Sequence, residues 1–126
     1  MGNALIEERP PTAEEVERAL ASDVAAVRDH YGSRVLDIVL FGSRARGDNR
    51  PDSDADVAIV LQNGDWRFGS EKLKLADLTY ETMMEYGVRL QPWPVSRSDW
   101  GHPVEHHNTK LIQSMKRDGR TLLVTP

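Results

Sequence analysis

The 126-residue chain carries 16 Lys and Arg against 20 Asp and Glu, a net charge of −4, with 39% hydrophobic and 29% charged residues. That length holds one modest core and not two ordinary domains, in the balance of a globular protein and not of a disordered tail. The acidic balance argues against long nucleic acid, which is normally held on a basic surface, and the absence of cysteine excludes disulfides, thiolate metal sites and cysteine nucleophiles. A small anion served by local arginines, or by a bound metal, stays open.

The opening MGNALIEERPPT has no basic start followed by an apolar run, and Ile6 stands where a myristoylation motif wants Ser or Thr. No stretch approaches the roughly 20 apolar residues of a membrane span. The expectation is a cytoplasmic single domain over residues 1–126, with residues 1–11 flexible. After Pro10-Pro11, Thr12-Ala13-Glu14-Glu15 has the capping-box form, and Val16, Ala19, Leu20, Val24 and Val27 then recur at helical spacing as far as Tyr31-Gly32-Ser33. Glu14, Glu15, Glu17 and Arg18 form the wet face of that helix. Val35 to Phe41 is a short apolar, β-branched run with glycine on either side, a buried strand carrying Asp37. Residues 42–53 are a polar loop, and Ala55 to Leu61 is a second strand.

Beyond the turn at Gln62-Asn63-Gly64-Asp65, Ser70 can cap a helix running to about Tyr86, with Leu73, Ala76, Tyr80, Met83 and Met84 expected inside and Gly87 at its end. Val88 to Ser96 reads as extended; Pro92 and Pro94 cannot donate to a ladder, so the strand is an edge or is interrupted. A loop through Trp100-Gly101, a last helix from about Val104 to Arg117 closed by Gly119, and a short strand from Thr121 to Val124 complete the reading.

The informative stretch is Gly42-Ser43-Arg44-Ala45-Arg46-Gly47, followed after five residues by Ser53-Asp54-Ala55-Asp56. Asp54 and Asp56 are two apart at a strand entry, so their side chains leave the same face. Paired carboxylates repel unless a cation lies between them, and hard oxygen ligands suit Mg²⁺ bound together with substrate phosphates. Gly42 lets a phosphate approach the backbone, while its neighbours' N–H groups, the Ser43 hydroxyl, Arg44 and Arg46 can donate to it.

Together these residues resemble the GSxARG…SDxD signature of nucleotidyltransferases related to DNA polymerase β, in particular the minimal nucleotidyltransferases encoded beside a HEPN-domain partner. The resemblance is close over about fifteen residues, and the order of strand, loop and helix agrees over most of the chain. It implies an α+β, polymerase-β-like nucleotidyltransferase fold, a mixed β-sheet flanked by helices. By the same resemblance Gly42 and Ser43 hold the triphosphate of ATP or another nucleoside triphosphate, with Arg46 and Arg44 beside them. Asp54 and Asp56 bind Mg²⁺ or Mn²⁺ as the catalytic acids. The reaction implied is attack of an acceptor hydroxyl on the α-phosphate with release of pyrophosphate, AMP being the expected group transferred.

The sequence departs from the family at one place. Members that catalyse carry a third carboxylate on a later strand, and the corresponding segment here, Val88-Arg89-Leu90-Gln91-Pro92-Trp93-Pro94-Val95, has no acid. Gln91 or Arg89 takes the third position; glutamine offers a neutral carbonyl, whereas arginine opposes a metal. Asp37 and Glu85 are the candidates to substitute for it.

Each motif has a plainer reading. Pro51-Asp52-Ser53-Asp54 can be an ordinary turn, and Arg44 and Arg46 can be solvated loop residues. His102, His106 and His107 read as polar surface or a partner-facing patch ahead of a zinc site, since Pro103 disfavours helix at His102. Trp66, Trp93 and Trp100 read as packing before base stacking. Two functional classes follow: an enzyme transferring a nucleoside monophosphate to a hydroxyl of a protein or small molecule, or a weakened nucleotide-binding, antitoxin-like module that neutralises a HEPN-type ribonuclease by binding. Either sits naturally in a homo- or hetero-oligomer.

Overall fold

The computed structural model describes residues 9–105 and 108–124. Helix α1, Ala13–Tyr31, starts at the expected capping box: the Thr12 hydroxyl accepts the Glu15 N–H at 3.1 Å, and the Glu15 carboxylate accepts the Thr12 N–H at 2.9 Å. Hydrogen bonds from Arg9, then from Thr12, hold the Glu15 carboxyl down at about 2. Val16, Ala19, Leu20, Val27 and Tyr31 make the buried stripe, with Val24 partly covered.

Strand β1, Val35–Phe41, lies inside a four-stranded sheet, antiparallel to β2, Ala55–Leu61, and to β4, Arg120–Val124. The edge strand β3, Leu90–Ser96, pairs parallel with β2, giving the order β3-β2-β1-β4. This is the mixed sheet flanked by helices that the resemblance implies. Because β2 is buried on both faces, it reads as a continuous apolar run and not as an alternation. Ile38, Leu40, Val57, Ile59 and Leu61 face α1 and α3, Phe68–Tyr86; Val39, Phe41, Ala58 and Val60 face α5, Thr109–Asp118, through Ile112 and Met115.

Three local readings need correction. The polar loop contains a one-turn helix, α2, Ser43–Arg46, and the segment after β3 contains another, α4, Arg97–Gly101, capped by the Ser96 hydroxyl on the Asp99 N–H. Helix α5 begins at Thr109, where Asn108 can cap it, and not at Val104, which lies in a 3₁₀ turn. Strand β3 is at the edge, as the prolines require, and its pairing runs through both of them. Residues 1–8, His106 and His107 lie outside the described residues; His102 is exposed.

The largest correction concerns α3, which starts at Phe68, two residues before Ser70, and turns the opposite way from expectation. Leu73, Tyr80 and Met84 are 71%, 57% and 68% exposed, whereas Glu71, Leu75, Thr79 and Thr82 are buried. Of the expected inner residues only Met83 packs on the core, and partly. Periodicity located an apolar stripe without revealing which way it points. Hydrogen bonds fix the orientation: Tyr31 donates to Glu71 at 2.6 Å, Ser22 and Thr82 share a hydroxyl contact at 3.2 Å, and Thr79 bonds back to the Ala76 carbonyl. With these partners the buried polar groups avoid the desolvation cost of unpaired ones.

Asp23 is the exception on α1. It is buried, one carboxylate oxygen has no partner, and burial pushes its pKa up to about 7. A carboxyl whose pKa is raised on folding holds its proton in the native state and loses it when unfolded. Native stability therefore rises as pH falls through about 7 toward the ordinary carboxylate range. Between pH 8.5 and 6 the wild type should gain on the order of 1 kcal/mol that Asp23→Asn does not. Urea midpoints at the two pH values check this; identical shifts in both proteins would refute it.

Candidate active site

The site forms where β1 ends beside the start of β2. Phe41 is the ladder partner of Asp56, and Asp56 is the partner of Gln91 on β3, so the three share one rung and one face. Gly42 follows with φ +76° and ψ −156°, a backbone conformation that side chains disfavour. A β-carbon there would stand 2.5 Å from Asp56 Oδ2. The position therefore requires glycine twice over, for its dihedrals and for the closeness of the carboxylate.

The chain then winds into α2. The Ala45 and Arg46 N–H groups donate to the Gly42 carbonyl at 3.2 and 3.1 Å, and the Gly47 N–H, at φ +83°, donates to Ser43 at 2.9 Å. At the start of such a turn the N–H groups of Ser43 and Arg44 have no intrahelical acceptor, which suits a bound anion. Arg44 faces the following loop: Nε donates to the Ser53 carbonyl and Nη2 to the Pro51 carbonyl, both at 2.9 Å. Reciprocal bonds between Arg50 and Ser53 close that loop and set Asp54 immediately before β2. Arg46 is more exposed and bonds Asp48 at 3.2 Å.

Asp54 and Asp56 thus meet on one face, as their spacing predicts. Burial, then the neighbouring Asp54 charge, raises the Asp56 pKa; Lys72 and Arg46 pull it the other way. Lys72 was not legible as a site residue. It lies on the first turns of α3, crosses the free edge of β3, donates to the Pro92 carbonyl at 2.6 Å and stands 4.4 Å over the Trp93 ring. Burial lowers its pKa, and Asp56 partly restores it. The only sequence clue is the strand–helix–strand crossover, which brings the start of α3 back over β3. Arg89 pairs with Asp54 at 3.1 Å and is 73% exposed, so its head can swing away.

Gln91, not Arg89, occupies the rung beside Asp56. Among the described residues no three His, Asp or Glu side chains converge, so neither Asp37 nor Glu85 supplies a third acid. Asp37 lies four residues before Phe41, about 13 Å along β1. Two mutually repelling carboxylates, with a glycine cradle open beside Asp56, fit a hard divalent cation whose other ligands come from a triphosphate and water. The tryptophans pack as expected: Trp93 against Phe68 and Lys72, Trp100 against Lys116, while the Trp66 indole N–H donates to Gln62.

The nucleotidyltransferase domain family model matches residues 24–102, and the chain belongs to that family. Over 72 residues it is 39% identical to a candidate protein adenylyltransferase, MJ0604, of Methanocaldococcus jannaschii, covering 57% of this chain and 65% of that one. The chain thus spans less than two thirds of that relative. The fold matches a chain of a toxin–antitoxin crystal structure with AMP-PNP at a TM-score of 0.59 and 19% identity, covering 84% and 73% of the two chains. It also matches a chain of the tri-AMPylated Shewanella oneidensis HEPN toxin in complex with MNT antitoxin, at 0.56 and 16% over 86% and 72%. Among the described residues no helix is long and apolar enough to cross a membrane.

The two positive-φ glycines of this turn separate strain from obstruction. Alanine at Gly47 meets nothing within 4 Å, whereas alanine at Gly42 intrudes on Asp56. Both variants should lose about 1 kcal/mol of stability from backbone strain. Only Gly42→Ala should also weaken nucleoside triphosphate binding, by about tenfold or more, an effect worth roughly one displaced carboxylate contact. Calorimetric titration with thermal melts checks this, and equal loss of binding in both variants would refute it.

Proposed function

We propose that the chain binds a metal-bound nucleoside triphosphate, ATP in the first instance, and transfers AMP to a hydroxyl on another protein. The observation that carries this is the approach of Gly42 to Asp56, which joins a phosphate-accepting turn to a carboxylate pair. The Ser43 and Arg44 N–H groups, the Ser43 hydroxyl and Arg46 receive the triphosphate oxygens; Arg44 holds the loop that presents Asp54. Mg²⁺ or Mn²⁺ held by Asp54 and Asp56 would supply neutralisation of the triphosphate and polarisation of its α-phosphate.

The acceptor hydroxyl oxygen attacks the α-phosphorus in line. A new P–O bond forms, the bond to the bridging oxygen breaks, and pyrophosphate departs. Gln91 cannot take the hydroxyl proton, which leaves to water. Arg89 must release Asp54 for the pair to act together, and its exposure permits that. The likeness to a protein adenylyltransferase and to a complex containing an AMPylated HEPN toxin supports a protein acceptor, with a HEPN-domain protein as the first to test.

Intact-mass analysis of this protein with ATP, Mg²⁺ and a HEPN-domain protein should show a nucleotide-sized adduct on the partner. Asp54→Asn and Asp56→Asn should each lower the rate at least about a hundredfold, as loss of several kcal/mol of charge stabilisation implies. An adduct undiminished in both variants would overturn the assignment. Gln91 also favours a second reading, a nucleotide-binding module that neutralises its partner by contact; neutralisation that survives the Asp54→Asn/Asp56→Asn double variant with no adduct in the wild type would establish it. Gln91→Asp restores an acid to the rung and should raise Mg²⁺ affinity by about tenfold; an unchanged Mg²⁺ titration would show that this rung is not the third position.

A further inference from the structure

Helix α3 places its large apolar side chains where its own fold does not cover them. At about 100° per residue Leu73, Ala76, Tyr80 and Met84 fall within roughly 80° of arc, one stripe along the outer face. All four are exposed. Rolling the helix to bury them would break the Tyr31–Glu71 and Ser22–Thr82 contacts, so the stripe is held outward by the inner face. Beside it a groove of about 670 Å³ runs between α3 and the free edge of β3, floored by Met83, Val88 and Leu90. Its lining continues through Lys72, Arg89 and Gln91, the residues beside Asp56 and Asp54.

Charge narrows what can lie there. Asp77, Glu81 and Glu85, all exposed and four residues apart, form an acidic row along one border of the stripe. Lys74 begins that border but leans toward Glu71, 3.8 Å away. An antiparallel, isologous pair of α3 helices would set the acidic row against its own copy. A basic flank on a different protein complements it. Because the groove's lining reaches Arg89, the ion-pair partner of Asp54, and Gln91, the rung partner of Asp56, its occupant is brought close to the carboxylate pair.

We infer that this groove docks the acceptor protein, which lays an amphipathic helix, apolar on one side and lined with Lys or Arg, along α3 and so carries its hydroxyl past Arg89 to Asp54 and Asp56. The inference rests on the transfer reading above and adds the chemistry by which the acceptor is recognised.

The test uses the whole chain and a fluorescent Leu/Lys amphipathic helix of about 18 residues, roughly five turns, with one tyrosine beyond its C-terminal end; a Leu/Glu helix is the charge-inverted control. Anisotropy without ATP should show binding of the Leu/Lys helix alone. Leu73→Glu with Met84→Glu should weaken it at least about tenfold, near 1.4 kcal/mol, and Val104→Glu, an exposed apolar site elsewhere, should not. The triple change Asp77→Lys, Glu81→Lys, Glu85→Lys should transfer the preference to the Leu/Glu helix. Equal binding of both helices, or equal weakening by Val104→Glu, would overturn the proposal. So would a concentration-dependent dimer in sedimentation that Leu73→Glu with Met84→Glu abolishes, because the stripe would then belong to a second copy. Label transfer from α-labelled ATP to the tyrosine separates this inference from the function it rests on: groove-dependent binding without label supports the docking surface against the transfer reading, and label on a helix whose binding ignores the groove variants does the reverse.

Discussion

The arrangement depends on one antiparallel contact, the pairing of Phe41 with Asp56 at the end of β1. That rung fixes where the chain leaves the sheet, so the residue after Phe41 must turn within contact distance of the Asp56 carboxylate. Only a residue without a β-carbon fits. Once Gly42 is there, α2 begins beside the carboxylates, and the N–H groups at its start have no intrahelical acceptor. A slip of one residue between β1 and β2 would flip the whole of β2 and send Asp56 to the face packed by α1 and α3. The cost of burying that carboxylate in an apolar core opposes the slip. Core register and chemical site are therefore the same constraint.

A carboxylate pair in an acidic protein needs local compensation, and the chain supplies it from three elements. Lys72 comes from α3 across the sheet edge, Arg46 from α2, and Arg89 from the turn before β3. Lys72 is the most buried of the three and is held by the Pro92 carbonyl and the Trp93 ring, so its charge is fixed in place. The proline that denies β3 a ladder donor still offers its carbonyl, and Lys72 uses it. Arg89 is different: it is mostly in water, and an exposed pair of this kind contributes little to stability. It suits a group that holds Asp54 until a better cation competes for it.

Much of this was legible in the sequence. The capping box at Thr12, the apolar runs of β1 and β2, the glycine-serine turn and the two acids all obey local rules that tertiary contacts left intact. The prolines of β3 identified an edge, and the absence of an acid there pointed to Gln91, which the parallel register sets beside Asp56. Two features were illegible because they arise between elements. Lys72 belongs to no motif and acquires its place from the crossover that returns α3 over β3. Arg44, read as a phosphate donor, spends two of its N–H groups on the carbonyls of the following loop, an arrangement that depends on how that loop closes.

The outward stripe of α3 is the remaining departure. An apolar period tells a reader that a helix has two faces, and the usual inference assigns the apolar one to the chain's own core. Here α1 already supplies Val16, Leu20 and Val27 to that space, and what it asks of α3 is partners for Tyr31 and Ser22. Glu71 and Thr82 answer that demand, Thr79 is satisfied by its own helix, and Leu75 fills the layer between them. The apolar residues of α3 are thereby left over by the fold, although a monomer with no use for them would gain by replacing them with charges. A sheet edge beside them, and the carboxylates' partners Arg89 and Gln91 in the groove's lining, give that surface a direction: along α3 toward Arg89. The physical reason the sequence misleads about α3 is thus also the reason to look for a second protein on it.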